Sequence, residues 1–124
     1  MKDILLVSFG ALLGANFRFI IYEKLESKNL INDYRILIIN TFASFFLGLF
    51  ISLLPRISYF DYSSQLVLFF SIGLLGSLST FSTFIYDLVR ILMKFEFFSA
   101  LKLFFISISL GIIALAFGCF LGNH

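Results

Sequence analysis

Between Gly73 and Phe84 the chain reads Gly-Leu-Leu-Gly-Ser-Leu-Ser-Thr-Phe-Ser-Thr-Phe, a run of hydroxyls and glycines set inside a long apolar stretch. Glycine and β-branched threonine weaken a helix, and freed backbone groups at membrane depth are tolerated only inside protein or along a wet cavity. The run therefore predicts a helix break over residues 76–80. Such a break exposes carbonyls that can hold a cation and N–H groups that can hold an anion. The hydroxyls of Ser82 and Thr83 add uncharged donors beside it. Phe81 and Phe84 stand three apart, on one face of a continuing helix, and alternate with those hydroxyls. The plain role of any one of the 19 phenylalanines is contact with lipid. An aromatic ring, however, has a positive edge, so these two can turn ring hydrogens toward an anion where water is scarce.

Three other polar side chains fall within apolar stretches. Asn40 carries two donors and an acceptor that need partners in lipid, and two roles stay open for it: gluing two helices together, or lining a pore. Arg18 would cost roughly 2.5 to 3.5 kcal/mol at the bilayer centre. It stands one turn from Tyr22, so it either snorkels to the interface or supplies a cation at a vestibule mouth. Asp87, one turn past Thr83, is placed to pair with Arg90 near an interface. Small residues line up on helical faces: Gly10 with Gly14; Asn40, Ser44 and Gly48; and Ser107, Gly111, Ala114, Gly118 and Gly122. Close helix packing accounts for the glycines, because lipid tails supply no hydrophobic drive between helices.

The elements that must position these groups follow from composition. Of 124 residues 60% are hydrophobic, and only 9 basic and 7 acidic side chains are present, too few to cover the surface of a soluble fold of this length. Apolar blocks over residues 4–22, 36–54, 66–93 and 100–121 each have the length of a membrane span, so 1–124 reads as a single domain of four transmembrane helices. The first block is read as a retained helix, since no small-residue cleavage site ends it. Charges punctuate the gaps: Glu23, Lys24, Glu26, Lys28, Asp33 and Arg35 in the first, Arg56 and Asp61 with Pro55 in the second, Lys94 and Glu96 in the third. An even number of spans puts both termini and the second loop on one side. That side holds Lys2 and Arg56, against Lys24, Lys28, Arg35 and Lys94 opposite, with Arg90 and Lys102 nearby; so mild a bias leaves room for insertion both ways. The tyrosines, Tyr22, Tyr34, Tyr59, Tyr62 and Tyr86, mostly fall where an interfacial aromatic belt sits.

Catalysis has little to work with. Cys119 is single and His124 is the only histidine, at the terminus, which excludes an intrachain disulfide or a structural zinc cluster. There is no nucleophile–base pair, no paired carboxylate within a span and no phosphate loop, so no enzyme is expected. Two other classes compete with a channel. A proton-coupled exporter of cations needs a carboxylate in mid-membrane, and Asp87 lies near the end of its block. A non-transporting membrane scaffold would owe nothing to a hydroxyl-rich break.

The string from Gly76 to Phe84 resembles the signature of the small four-helix fluoride channels, the Fluc or CrcB family. The stretch from Gly10 to Phe19 is similar to that family's glycine-rich helix 1 motif, and Asn40 with Gly48 to its helix 2 pattern. The likeness covers all four helices in order. It implies an all-α membrane protein of the cell's inner (plasma) membrane, forming an antiparallel, dual-topology homodimer with two fluoride pathways and a sodium ion on the dimer axis. An opposite-topology paralogue is an alternative partner. By motif position Phe81 and Phe84 would line the pore, Asn40 would donate its amide, Ser82 and Thr83 would form a polar entrance, Arg18 would sit in the vestibule, and the carbonyls of Gly76 and Ser79 would hold sodium. Ser107 fits a helix 4 polar track, although Leu103 stands where that track often has tyrosine; Ala11 replaces the second of the paired glycines and Ser79 the common threonine. Fluoride would move passively, lowering cytoplasmic fluoride and giving fluoride resistance.

Overall fold

Backbone polar groups in lipid must find partners within their own segment, which leaves the helix as the economical solution for long apolar blocks. The computed structural model describes residues 1–26, 32–59 and 61–123, and it is helical almost throughout. Helix α1 spans Lys2–Glu26, α2 Asn32–Ile57 and α6 Phe97–Asn123. The third crossing is composite. Helix α3 (Ser63–Leu66) runs into a π-helical stretch, Val67–Leu75, then the single turn α4 (Gly76–Leu78) and finally α5 (Phe81–Met93). Four stretches are thus long and apolar enough to cross a membrane. The 25 residues of α1 extend about 38 Å at 1.5 Å per residue, more than the hydrocarbon core needs.

Helices α1, α2 and α6 outrun the expected blocks at both ends, and the third crossing does so only at its start. Glu23 and Lys24 belong to α1, Arg35 and Pro55 to α2, so the first and second gaps are shorter than their charges suggest. Lys28 and His124 lie outside the described residues. Arg35 is not a loop charge at all: it is 5% exposed, with its guanidinium 5.1 Å from the centre of the Tyr22 ring. A desolvated arginine on an aromatic face keeps an electrostatic partner that bulk lipid lacks. The third gap is a tight turn over Lys94, Phe95 and Glu96, with Phe95 in the left-handed region at φ 60°.

Two helix pairs make up the bundle, and small residues set both. The broadest contact joins α2 to α6. Gly48 lies on the Leu115 carbonyl, Gly118 on that of Phe45 and Gly122 against Ser52, so a methyl group at any of the three would overlap its neighbour. Residue numbers rise together along this contact, which makes the helices parallel. Helix α1 packs in the same way on the third crossing, with Gly10 and Gly14 against residues 69 to 77 and Gly73 against Val7 and Gly10. This is the close packing expected of the helix 1 glycines. The cores are small: Ile36, Phe84, Ile91, Ala100 and Leu103 in one cluster, Ile39, Ala43, Leu75 and Leu78 in the other. Much of the remaining apolar surface is exposed, including Phe9, Phe17, Phe42, Phe98, Phe105 and Phe120.

Candidate functional site

The third crossing breaks at Ser79 and Thr80, which adopt extended geometry at ψ 148° and φ −144°, ψ 115°. Gly76 itself stays helical, at φ −64° and ψ −34°, so the break is narrower than the expected 76–80 and does not fall on the glycine. Its cause is a competing partner. The Asn40 carboxamide matches both backbone groups of Thr80: Thr80 N donates to Asn40 Oδ1 at 2.9 Å, and Asn40 Nδ2 donates to the Thr80 carbonyl at 3.3 Å. A primary amide presents the same donor–acceptor pair as a peptide, so it substitutes for the missing helical turn. Asn40 therefore acts as glue, and one of its two N–H groups is left over.

Helix α5 begins on the other side of Thr80. The Thr80 hydroxyl caps it by accepting from Thr83 N at 3.4 Å. The same oxygen lies 3.1 Å from Thr83 Oγ1 and 3.3 Å from Ser82 Oγ. Thr80, 7% exposed, is thus the hub of a hydroxyl cluster at a helix N-terminus, where the dipole favours negative charge. These two engagements also reach backward along the chain. In an unbroken helix the Gly76 carbonyl would accept from Thr80 N, and the Ser79 carbonyl from Thr83 N. Both N–H groups are engaged elsewhere, by Asn40 and by the cap. Gly76 is also open: a Cβ there would meet nothing closer than the Ser71 carbonyl oxygen at 3.6 Å. Carbonyls freed from the ladder on an open backbone are a donor set for a hard monovalent cation. Among the described residues no group of three His, Cys, Asp or Glu side chains is placed to hold a metal ion.

Thr83 connects this cluster to Arg18. Both line a cleft of about 250 Å³, together with Ala15, Phe19, Tyr22 and Ile36. Phe81 and Phe84 separate more than their spacing suggests. Phe84 is 8% exposed and packs in the α2–α5–α6 core, whereas Phe81, at the first position of α5, is 74% exposed. Their ring centres remain 6.3 Å apart, and Phe84 stacks in turn on Phe104 at 6.4 Å. Ser107 stands apart from the cluster. Its hydroxyl oxygen is buried with no hydrogen-bond partner. Gly111 faces Ser44, a Cβ on the glycine lying 3.7 Å from Ser44 Oγ, and one turn back on each parallel helix brings Ser107 level with Asn40. Leu103, at the position where tyrosine was the alternative, fills the core beside Phe84. Asp87 points inward with Phe84 and Ile91, 6% exposed and engaged with a partner.

Two residues that join these groups carry no clear signal in the sequence. Thr80 was legible only as part of the break, although a threonine three residues before a helical N–H is an ordinary capping signal. Phe104 was hidden by the abundance of phenylalanine.

Four crossings, one broken in mid-course and carrying uncharged donors there beside an arginine cleft, define a small multi-pass membrane protein. The particular lineage comes from comparison with known proteins. The model of the family described as CrcB-like protein, Camphor Resistance (CrcB), matches residues 5–119, and the chain belongs to that family. It is 63% identical over 124 residues, the whole of both chains, to the fluoride-specific ion channel FluC 2 of Prochlorococcus marinus strain NATL2A. FluC 1 of Parasynechococcus marenigrum strain WH8102 is 37% identical over 98% of this chain and 94% of its own. FluC of Ignicoccus hospitalis is 32% identical over 95% and 93%. These relatives are ion channels, not enzymes.

Proposed function

We propose that this protein is a fluoride-selective channel of the inner (plasma) membrane that lets fluoride run down its gradient and so lowers cytoplasmic fluoride. The observation that carries the reading is the Asn40–Thr80–Ser82–Thr83 network, which gathers neutral donors at a helix break in mid-crossing. Fluoride is small and strongly hydrated, so a pore must return hydrogen bonds for those of water. The spare N–H of Asn40 and the hydroxyls of Ser82 and Thr83 offer such bonds without a fixed charge that would hold the ion in place. Arg18, in the cleft beside Thr83, raises the local anion concentration at the entrance. Ser107, its hydroxyl oxygen buried and unpartnered at the level of Asn40, supplies a further donor on α6.

Phe81 and Phe84 take the dry part of the path, with ring edges toward the ion. The exposure of Phe81, beside the Ser82–Thr83 hydroxyls, leaves its ring open to a second copy that would complete the pathway. The assembly in this reading is an antiparallel homodimer with two pores, or a pair with an opposite-topology paralogue. A sodium ion on the dimer axis, held by the Gly76 and Ser79 carbonyls of both copies, would neutralise the four facing carbonyl dipoles; the loss of their helical donors and the open backbone at Gly76 support the assignment.

The deciding experiment is fluoride efflux from liposomes containing the purified protein, followed with a fluoride electrode against a chloride control. Rapid fluoride release with chloride retained is the expected result. Release no faster than from empty vesicles would remove the channel reading.

A further inference from the structure

A hydroxyl has one hydrogen and two lone pairs, which limits what Thr80 can do for its neighbours. One lone pair of Thr80 Oγ1 is taken by Thr83 N. One lone pair and one hydrogen remain for two hydroxyls, those of Ser82 and Thr83. Thr80 therefore donates to one and accepts from the other. The neighbour that receives the Thr80 hydrogen keeps its own hydrogen free, while the other spends its hydrogen on Thr80. At any moment a single donor is available to an outside ligand, on either Ser82 or Thr83, and rotation of the hydroxyls moves it from one to the other without breaking a covalent bond.

The two positions are not equivalent. Thr83 lines the cleft with Arg18, whereas Ser82 is exposed on the surface of the protomer. Thr80 is fixed between them, buried, with both its backbone groups held by Asn40. We propose that Thr80 is a positioning residue that never touches the ion but hands one hydrogen-bond donor between Thr83 and Ser82 as the anion passes. An anion at the cleft draws the Thr83 hydrogen outward, so Thr80 donates to Thr83 and accepts from Ser82. When the anion moves on, the three hydroxyls rotate and the assignment reverses. The inference rests on the fluoride-channel reading. It adds a role for a residue that the resemblance leaves without one.

The test is fluoride efflux from liposomes with Thr80→Val, which keeps the β-branched shape and removes the hydroxyl, and with Thr80→Ser, which restores it. Flux should fall by about tenfold in the valine variant, the upper end for one lost neutral hydrogen bond, because Ser82 and Thr83 lose the partner that orients them, and return toward wild type with serine. Ser82→Ala and Thr83→Val, alone and together, provide a second measurement that needs no change at Thr80. A shared donor makes them non-additive, so the pair should cost little more than the worse single change. Wild-type flux in Thr80→Val, equal loss in valine and serine variants, or independent losses at Ser82 and Thr83 would each overturn the relay. Failure of the channel reading is distinct, because there the wild-type protein itself releases no fluoride.

Discussion

At the scale of single residues, Phe81 and Phe84 illustrate how one motif can hold two different physical roles. Phe84 is core, stacked on Phe104 and clustered with Ile36, Ile91, Ala100 and Leu103, while Phe81 is bare. Substitution with isoleucine should reduce fluoride flux sharply at both, since both lose an aromatic edge. Stability should separate them. Phe84→Ala is expected to cost about 3 kcal/mol or more in a detergent unfolding titration, by cavity formation, and Phe81→Ala within about 0.5 kcal/mol in the monomer. Comparable losses at both positions would contradict the burial difference. The spacing of these rings was legible from sequence, but their environments were not, because burial at the first turn of α5 depends on what α2 and α6 cover. Asn40 shows the same limit from the other side. Its need for partners could be read from residue type alone, yet the partner, the backbone of Thr80 forty residues away, is a property of the packed helices.

At the scale of elements, composition and block length sufficed for four crossings, and polar content sufficed to place a break in the third. The π-helical stretch Val67–Leu75 had no such signal, since its residues are apolar apart from Ser71 and its geometry is tied to the close seat of α1 on Gly73. The glycines themselves divide into two kinds that spacing cannot distinguish. Gly48 and Gly118 hold α2 and α6 together at backbone contact, and a methyl at either collides with a carbonyl of the opposite helix. Gly76 has open space instead. Gly48→Ala and Gly118→Ala should therefore each destabilise the protomer by about 1 to 3 kcal/mol, the range for overpacking a tight core, seen as a lowered melting temperature in detergent. Gly76→Ala should leave the protomer's helical content unchanged. If it lowers the fraction of dimer on size exclusion and the flux, the space at Gly76 serves a second copy or an ion; if it changes neither, the carbonyl-site reading loses its structural support.

At the scale of the whole molecule, the charges that orient a membrane protein are fewer than the sequence suggests. Arg35 is buried against Tyr22 and so drops out of the loop count, leaving Lys24, Lys28 and Lys94, with Arg90 and Lys102 nearby, against Lys2 and Arg56. A difference this small gives little preference between the two insertions. The protein should then be found in both orientations in one membrane, which is what an antiparallel pairing of identical copies requires. The measurement is accessibility of a cysteine added at the C-terminus, labelled in intact cells and after permeabilisation. The native Cys119 thiol, which donates to the Gly48 carbonyl at 3.3 Å, has first to be replaced by alanine. About half of the protein should label from each side. Adding two lysines beside Arg56 should shift nearly all of it to one orientation, and flux should collapse with it because antiparallel partners disappear. Mixing that variant with one carrying the opposite bias should restore both dimer and flux. One-sided labelling of the unmodified chain would instead require a partner of opposite topology, and flux that survives the lysine shift would show that parallel copies, or single chains, conduct.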